Sequence, residues 1–525
     1  MVAWSLAPDR CLSNPTIYEV YPRSFRDTTG TGEGDLQGVI DGLDHIASLG
    51  VDAIWLAPVY PSPWADGGYD VSDHRGIDPR YGDLSDFDRL VAEAARRGLK
   101  IIMDMVLNHT SDQHPWFQAA LAGDDAAAER YVWRDARPDG TPPNNWMSFF
   151  GGPAWRWEPR RSQYYLHQYL YRQPALDMRC PAVQEDHRDT LRFWRDRGVA
   201  GFRFDTVTAY FHDPELRDNP CASEEVRACV EGPPNSPYHM QDHTHDLLPG
   251  DCAAFMEKVR DWAGPDMWLM GECTSGNKAF ELVRAFTGPD RLDALYTTAI
   301  PEGVGSPEVF AKAADEIAEP GALPWWFGCH DQPRVASGLG DGSAESARFH
   351  MALLAALPGP AFFYQGEELG LPQPDLDRDE IIDPFDLRFW PDHPGRDAAR
   401  VPIPWTQGPA SGFTSGTPWR PMRWDDSHSI AHQEQQDDSM LAQTRALLGA
   451  RRKFGWAQAR DRVLSAQDDL LEIRAQTDAG PLHAVFNFAE GSRPIPDAPE
   501  DPLFTQALEG GALGRWGFVI ASPDG

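Results

Sequence analysis

The chain has 525 residues, which is too long for one small core and allows one large domain together with smaller ones. Hydrophobic residues make up 41% of the composition and aromatic residues 11%, enough to bury a large core and to line an aromatic cleft. The formal net charge of −33 disfavours nucleic acid and anionic membrane surfaces as partners, because both are themselves negatively charged.

Short β-branched or apolar runs recur along the chain, and each is followed by a polar or glycine-containing loop. Between them the periodicity predicts amphipathic helices, several of which begin at Asp or Ser and end at Gly, as helix caps do. Eight such alternations are typical of an α/β fold of the (β/α)8 TIM-barrel class. The predicted strands span residues 17–21, 51–57, 100–106, 199–205, 267–272, 292–298, 324–329 and 360–365.

Two segments interrupt the barrel pattern, and the pattern itself changes near the C-terminus. Residues 109–172 are too many for a compact loop and are rich in Trp, Tyr, Pro and Gly, which predicts a small domain inserted after the third strand. A second long loop spans about 367–434, and after Phe454 short alternating segments predict an antiparallel β-domain. The predicted domains are the barrel, 1–108 and 173–454, the inserted domain, 109–172, and the C-terminal β-domain, 455–525.

The cysteines and the N-terminal residues indicate the cellular compartment in which the protein is expected. Seven cysteines are scattered without CxxC pairs, which favours reduced thiols over a disulfide framework. The first residues lack a basic stretch followed by an apolar one, and no run of about 18 apolar residues occurs. We therefore expect a cytoplasmic protein without an export signal. The cysteines are Cys11, Cys180, Cys221, Cys229, Cys252, Cys273 and Cys329.

Polar side chains stand where the predicted strands end, the face at which TIM barrels carry their active sites. Arg203 and Asp205 are two apart in VAGFRFDTVTAY, so a strand would point both to the same side. A single carboxylate there would more often be structural, but Asp205, Glu272 and Asp331 come from three strands, and opposed carboxylates are what glycoside hydrolysis requires. We expect Arg203 to keep Asp205 ionised and burial to raise the pKa of Glu272.

The segments DMVLNH, GFRFD, GEC and HDQPR resemble, in order and spacing, four regions of the α-amylase superfamily, glycoside hydrolase family 13. The resemblance runs from YEVYPRSF near the start to about residue 420. It implies a retaining mechanism in which Asp205 is the nucleophile, Glu272 the general acid/base and Asp331 the carboxylate that holds sugar hydroxyls, with the first two carboxyl groups about 5–5.5 Å apart. The residues that it implies for orienting the nucleophile and binding the −1 sugar are Arg203, His109 and His330.

ADGGYD and GRDAARVPIPW resemble the exo-acting α-glucosidase and oligo-1,6-glucosidase branch of that family. In that branch the residues matching Asp66 and Arg400 close the pocket behind the non-reducing glucose, and the one matching Tyr69 is a stacking platform. A closed pocket accepts chain ends, so small α-glucosides are the expected substrates. In this branch the identity of the residue directly after the nucleophile correlates with the type of glucosidic bond that the enzyme prefers. Here that residue is Thr206, which favours α-1,4 over α-1,6 bonds.

Several alternatives stay open at this level. A sucrose-directed hydrolase or isomerase and an oligo-1,6-glucosidase would use the same scaffold, and transglucosylation depends on an acceptor site that the sequence does not define. Ala175, Asp177 and Cys329 depart from the branch pattern, which leaves the exact substrate open. A catalytically dead binding relative is disfavoured because all three carboxylates are present. The oligomeric state is not predicted.

The loop RDTTGTGEGDL stands where relatives carry a DxNxDGxGD metal loop. Asp27 and Asp35 are the candidate metal ligands, whereas Thr29 and Thr31 replace the intervening Asn and Asp. A structural Ca²⁺ or Mg²⁺ needs several oxygen ligands, with carboxylates supplying most of the charge. We therefore expect weak or absent metal binding here and no cofactor for catalysis.

Overall fold

The computed structural model describes residues 10–227, 233, 235–273, 278–392, 395–495, 499 and 501–522, so that Cys229 lies outside the described residues. In this part of the chain no helix is long and apolar enough to cross a bilayer. Its strands are β1 Thr16–Val20, β2 Ala53–Leu56, β3 Lys100–Met105, β4 Trp133–Arg134, β5 Trp155–Glu158, β6 Gln163–Leu166, β7 Gly201–Phe204, β8 Trp268–Cys273, β9 Ala294–Thr297, β10 Ala361–Tyr364, β11 Arg460–Gln467, β12 Leu470–Thr477, β13 Gly480–Asn487, β14 Arg493–Pro494, β15 Phe504–Glu509 and β16 Ala512–Ala521.

Seven strands form one parallel sheet in the order β10-β1-β2-β3-β7-β8-β9. Apart from Lys100 and Glu272 the residues of these strands are buried, as expected where helices cover one face and the barrel interior the other. This arrangement confirms the predicted (β/α)8 barrel with an antiparallel sheet at the C-terminus. The carboxyl ends of the seven strands meet at one edge, where the polar residues stand.

One predicted strand, 324–329, is not a regular strand. The segment is extended, but it pairs with the sheet only at Trp325, whose N–H donates to Pro360 and whose carbonyl accepts from Phe362. On its other side Trp326 Nε1 donates to the carbonyl of Thr297 at 3.1 Å. Pro324 has no N–H to donate, which shortens the ladder. The segment therefore takes the eighth position of the barrel without forming a strand.

Helices lie between the barrel strands, as the periodicity predicted. In the third, Asp83 accepts from Ser85 N and Asp86 N while the Asp86 side chain accepts from Asp83 N, which completes a capping box. The described helices are α1 Leu36–Asp41, α2 Leu43–Ser48, α3 Leu84–Arg96, α4 Pro115–Leu121, α5 Asp125–Ala128, α6 Pro181–Arg195, α7 Glu224–Arg227, α8 Pro249–Ala263, α9 Ala279–Phe286, α10 Ala299–Gly303, α11 Glu308–Glu316, α12 Val335–Gly338, α13 Ala344–Ala356, α14 Pro384–Phe389, α15 Arg396–Ala399, α16 Ile430–Gln433 and α17 Met440–Lys453.

Among the described residues, two antiparallel sheets lie outside the barrel sheet. The segment between β3 and α6 holds α4, α5 and a three-stranded sheet in the order β4-β6-β5. The C-terminal sheet contains β11 to β16, with every second residue of β12 buried, and with half-buried and exposed residues alternating along β15. The exact domain limits stay a prediction.

A third interruption, between β7 and α8, was missed by the sequence analysis. In the described part of this segment the helices are a few residues long, and its side chains and carbonyls bind the insert: Asn145 Nδ2 donates to the carbonyl of Asn219 at 2.8 Å, and Trp146 Nε1 to that of Arg217 at 2.9 Å. The sequence signal was present as HDPELRDNP, a stretch rich in Pro, Asp and Asn. The segment and the insert together form one side of the active-site face.

Candidate active site

The end of strand β7 carries the Arg203–Asp205 pair that stood out in the sequence. Arg203 is 1% exposed, and its Nη1 lies 2.8 Å from Asp205 Oδ1 and 2.9 Å from Asp104 Oδ1. Its Nη2 lies 2.8 Å from Glu272 Oε2, and its Nε donates to the Tyr296 hydroxyl at 3.0 Å. One guanidinium therefore links three carboxylates from neighbouring strands of the barrel.

The protonation of this group differs from the sequence-based expectation. Burial raises the pKa of Asp205 well above its usual range; the charge of Arg203 opposes this, and the carboxylates of Glu272 and Asp104 add to it. Arg203 is shared among three acids, so it opposes the rise in the pKa of Asp205 without cancelling it, whereas the sequence led us to expect that Arg203 acts on Asp205 alone. The side chain of Asp205 is 8% exposed and that of Glu272 is 16% exposed, so the proposed nucleophile is the more buried of the two.

Thr206 connects the two acids through its backbone. Its φ of 45° and ψ of 46° lie in the left-handed region, which a β-branched residue rarely adopts. In this conformation its N–H donates to Glu272 Oε2 at 3.1 Å, and its Oγ1 lies 3.4 Å from Asp205 Oδ2. Backbone strain of this kind persists where surrounding contacts enforce it, and here it places one N–H against the predicted acid/base.

Asp331 lies in a different electrostatic environment from Asp205. Its Oδ1 accepts from Arg400 Nη2 and from Arg396 Nη1, the latter at 3.3 Å, and its Oδ2 lies 3.3 Å from His330 Nε2. Burial acts to raise the pKa of Asp331, but the charges of His330, Arg396 and Arg400 hold it well below its usual range. This carboxylate is therefore ionised at neutral pH.

His330 stacks between two tyrosine rings. The centroid distances are 5.8 Å to Tyr21 and 5.3 Å to Tyr69, with both rings within 5° of parallel to the imidazole. The Tyr69 hydroxyl donates to Asp104 Oδ2 at 3.0 Å, which fixes the ring predicted as a stacking platform. The structure thus brings Tyr69 and His330 together with Asp331, as the sequence motifs indicated.

Asp66 is joined to Asp331 through an arginine that the sequence analysis missed. Arg396 Nη2 donates to Asp66 Oδ1 at 2.7 Å and pairs with Asp383 Oδ2 at 2.7 Å, while Gln173 Nε2 donates to the other Asp66 oxygen at 2.9 Å. Arg400 also pairs with Asp383, at 3.2 Å. The signal was in GRDAARVPIPW, because Arg396 stands four residues before Arg400 and one helical turn puts both on one face.

Asp383 lies deeper than the other acids of this end of the site. Burial raises the pKa of Asp383 to about 6, although Arg396 and Arg400 lower it. It also caps α14 by accepting from Phe385 N and Asp386 N. Asp383 therefore anchors both arginines to the barrel.

His109, the remaining predicted sugar ligand, is neutral. Its Nε2 lies 3.2 Å from the carbonyl of Tyr69, and burial lowers the pKa of His109 to about 4. Among the described residues its Nδ1 has no hydrogen-bond partner. The two predicted histidine ligands thus differ in charge, since attraction from Asp331 and Glu19 overcomes burial and raises the pKa of His330 to about 9.

The three residues that depart from the branch pattern, Ala175, Asp177 and Cys329, have defined contacts in the structure. Ala175 packs in the core of the insert with Val132 and Trp146, and Asp177 accepts from Arg179 N. Cys329 lies in the barrel core and accepts from Asp331 N through its sulfur at 3.4 Å.

The loop with Asp27 and Asp35 does not fit a calcium site. Asp27 accepts from Thr29 N at 2.8 Å, from Gly30 N at 2.9 Å and from Gly32 N at 2.7 Å. Asp35 caps α1 by accepting from Gly38 N at 2.6 Å. Asp27 and Asp35 are thus engaged as acceptors within the loop, whereas Ca²⁺ takes about six to eight oxygen ligands with carboxylates supplying most of the charge. In the described part of the chain no group of three or more His, Cys, Asp or Glu residues is arranged to hold a metal.

Comparison with known proteins places the chain in a family. The family model described as the alpha amylase catalytic domain matches residues 19–458. A protein named probable alpha-glucosidase from Rhizobium meliloti is 43% identical over 517 residues, covering 95% of this chain and 93% of the relative. An oligo-1,6-glucosidase from Heyndrickxia coagulans is 34% identical over 482 residues, covering 83% of this chain and 84% of the relative.

Solved structures agree with these relatives. The crystal structure of an alpha-glucosyl transfer enzyme, XgtA, superimposes with a TM-score of 0.89 at 36% identity, over 97% of this chain and 99% of that chain. The trehalulose synthase MutB from Pseudomonas mesoacidophila MX-45 gives a TM-score of 0.84 at 29% identity, over 97% and 98%. The chain therefore belongs to the α-amylase family, glycoside hydrolase family 13, within its α-glucosidase and oligo-1,6-glucosidase branch.

Proposed function

We propose that this chain is a retaining exo-α-glucosidase that removes terminal glucose from small α-glucosides, with a preference for α-1,4 bonds. Asp205 is the nucleophile and Glu272 is the general acid/base. The observation that carries this proposal is that the two terminal nitrogens of Arg203 each contact one of these carboxylates, at 2.8 Å. Two carboxylates held on one guanidinium can be presented to opposite sides of one glycosidic bond.

The proton that glycoside cleavage needs is available in this group. The retaining mechanism places this proton on Glu272 and needs Asp205 as the carboxylate, which the charge of Arg203, 2.8 Å from Asp205 Oδ1, favours. In the first step Asp205 Oδ attacks the anomeric carbon, the bond from that carbon to the leaving oxygen breaks, and Glu272 gives its proton to the leaving oxygen.

In the second step the same residues work in the reverse sense. Glu272 removes a proton from water, the water oxygen attacks the anomeric carbon, and the bond to Asp205 breaks. Two inversions return the α-configuration. Asp331 and Asp66 accept hydrogen bonds from sugar hydroxyls, and Arg396 and Arg400 close the pocket behind the non-reducing end.

The proposed preference for α-1,4 bonds rests on Thr206, whose Oγ1 lies 3.4 Å from Asp205 Oδ2 and whose N–H donates to Glu272 Oε2. We test it with initial rates on maltose, isomaltose, sucrose, trehalose and p-nitrophenyl α-glucoside. Maltose should have a larger kcat/KM than isomaltose, and proton NMR during the first turnovers should show α-glucose before mutarotation. A β-anomer formed first would exclude the retaining mechanism, and faster isomaltose cleavage would exclude the linkage preference.

A second activity, glucosyl transfer or sucrose isomerisation, is favoured by the two solved relatives, one named an alpha-glucosyl transfer enzyme and the other a trehalulose synthase. Transfer differs from hydrolysis only in the acceptor that Glu272 activates in the second step. Product analysis by NMR with sucrose alone, and with maltose at high concentration, separates these outcomes. Release of free glucose and fructose alone would assign hydrolysis, whereas new disaccharides would assign transfer or isomerisation.

Two further proposals concern the cofactor and the compartment. The hydrogen bonds accepted by Asp27 and Asp35 support catalysis without a metal ion, so EDTA and CaCl₂ should leave both rate and melting temperature unchanged. We propose a cytoplasmic location because Cys11, Cys180, Cys221, Cys252 and Cys329 are free thiols.

A further inference from the structure

Glu19 is a buried carboxylate that the mechanism above does not use. It belongs to β1 at the centre of the barrel and is 0% exposed. Its Oε1 accepts from His330 Nδ1, and the N–H of His330 also points to the same oxygen at 3.4 Å. Its Oε2 has no hydrogen-bond partner among the described residues. A carboxylate so deeply buried is costly unless it is paired with a positive charge.

His330, the partner of Glu19, lies in an environment that stabilises a positive charge. His330 is 1% exposed and lies between Tyr21 and Tyr69, whose ring faces attract a cation. With Nδ1 bound to Glu19, only Nε2 remains for a ligand, and it lies 3.3 Å from Asp331 Oδ2. Beyond this ion pair, Nε2 has no hydrogen-bond partner within the described part of the chain.

We propose that Glu19 is a positioning residue that keeps His330 as an imidazolium, so that Nε2–H always donates to the sugar hydroxyl bound by Asp331. A neutral imidazole could hold its single proton on either nitrogen, whereas an imidazolium donates from both. The role of His330 as a sugar ligand rests on the proposed function. Glu19 thereby sets the upper pH limit of substrate binding.

The other groups around His330 are consistent with this role. The pKa of His330 is raised to about 9 by Asp331 and Glu19 against the effect of burial. Arg400 donates from Nε to the carbonyl of His330 and not to its ring. The titratable and aromatic groups that face the imidazole are Glu19 from β1, Trp55 from β2, Asp104 from β3, Asp331 beside it, and the rings of Tyr21 and Tyr69.

The test is an NMR titration of His330, which reads its charge without requiring any substrate. Histidine labelled with ¹³C at Cε1 gives one signal per residue, and His330→Asn assigns the relevant one. In the wild-type protein the midpoint should lie near pH 9, and in Glu19→Gln it should fall by about 1 pH unit or more. A wild-type midpoint near 6.5 would overturn the proposal even if Glu19→Gln did not fold.

The kinetic test uses the pH dependence of kcat/KM on the best substrate. In Glu19→Gln the alkaline limb should move to lower pH by the same amount as the NMR midpoint, mostly through KM. An equal loss at every pH with an unmoved limb would mean that Glu19 is only structural. Glu367→Gln is the matched control, because Glu367 is half-buried at the same barrel end, accepts from Tyr364 N at 3.2 Å and has no described contact with His330. If no α-glucoside is cleaved, the proposed function fails while the titration still decides the charge of His330.

Discussion

The two halves of the active site differ in their ratio of acidic to basic groups. Around Arg203 three carboxylates share one guanidinium, and the pKa of Asp205 is raised. At the closed end three carboxylates meet two guanidinium groups and an imidazolium, and the pKa of Asp331 is lowered. An excess of acids raises the pKa of Asp205 where a bond must be broken, and an equal number of cations keeps Asp331 ionised where hydroxyls must be held.

The largest effect is expected from removing the acids around Arg203. Asp205→Ala and Glu272→Ala should each lower kcat by roughly three to five powers of ten, because covalent and proton-transfer steps are both lost. Sodium azide separates the roles. In Asp205→Ala it should give β-glucosyl azide by direct attack, and in Glu272→Ala it should give α-glucosyl azide through the covalent intermediate. The reverse pattern would exchange the two assignments.

At the closed end the largest effect should come from Arg396, because it contacts both Asp66 and Asp331. Arg396→Ala removes one guanidinium from Asp66, Asp331 and Asp383, so kcat/KM should fall by roughly a hundredfold, with the larger part in KM. The control is Arg423→Ala, which removes an exposed pair with Glu380 and should change kcat/KM by less than about twofold. Equal effects of the two variants would remove Arg396 from the binding site.

A smaller effect is expected from Thr206, which contacts both Asp205 and Glu272. Thr206→Val keeps the β-branched shape and removes Oγ1, which lies 3.4 Å from Asp205 Oδ2. The ratio of isomaltose to maltose cleavage should rise by roughly tenfold, since small changes in a pocket are worth one to two powers of ten. Thr206→Ser, which keeps the hydroxyl, should leave the ratio near that of the wild type. An unchanged ratio in Thr206→Val would show that Thr206 does not set the linkage.

The smallest effect concerns stability, and it contrasts His330 with a histidine of the barrel wall. Burial lowers the pKa of His187 to about 3, below its unfolded value near 6.5, so the unfolded chain binds more protons as the pH falls. The free energy of unfolding should therefore drop below pH 6.5, by up to about 1.4 kcal/mol per pH unit for this residue. His330 has the opposite sign, because its contribution is complete below pH 6.5 and is lost as the pH rises through 9.

Urea unfolding at a series of pH values measures both slopes. His187→Gln should flatten the acid slope, and Glu19→Gln should move the alkaline loss to lower pH. If His187→Gln left the acid slope as steep as in the wild type, the carboxylates and the other buried histidines would account for it.

The sequence by itself determined the barrel class, the order of its strands and the catalytic carboxylates as candidates. Local patterns carry this information, because buried parallel strands read as apolar runs and active-site residues stand at their carboxyl ends. The same patterns wrongly predicted a regular strand at 324–329. A run of aromatic residues does not show that pairing with the barrel sheet is limited to Trp325. They also passed over the segment between β7 and α8, whose hydrogen bonds to the insert join residues about 70 positions apart.

Only the tertiary structure decided the charges of the site. The pair Arg203 and Asp205 was visible as neighbours on one strand, but the sharing of that guanidinium with Asp104 and Glu272 depends on adjacent strands brought together by folding. Likewise, Glu19 and His330 are 311 positions apart and meet only because β1 lies beside the closing segment of the barrel. The sequence supplied the ionisable groups, and the distances between them fixed which of these groups hold a proton.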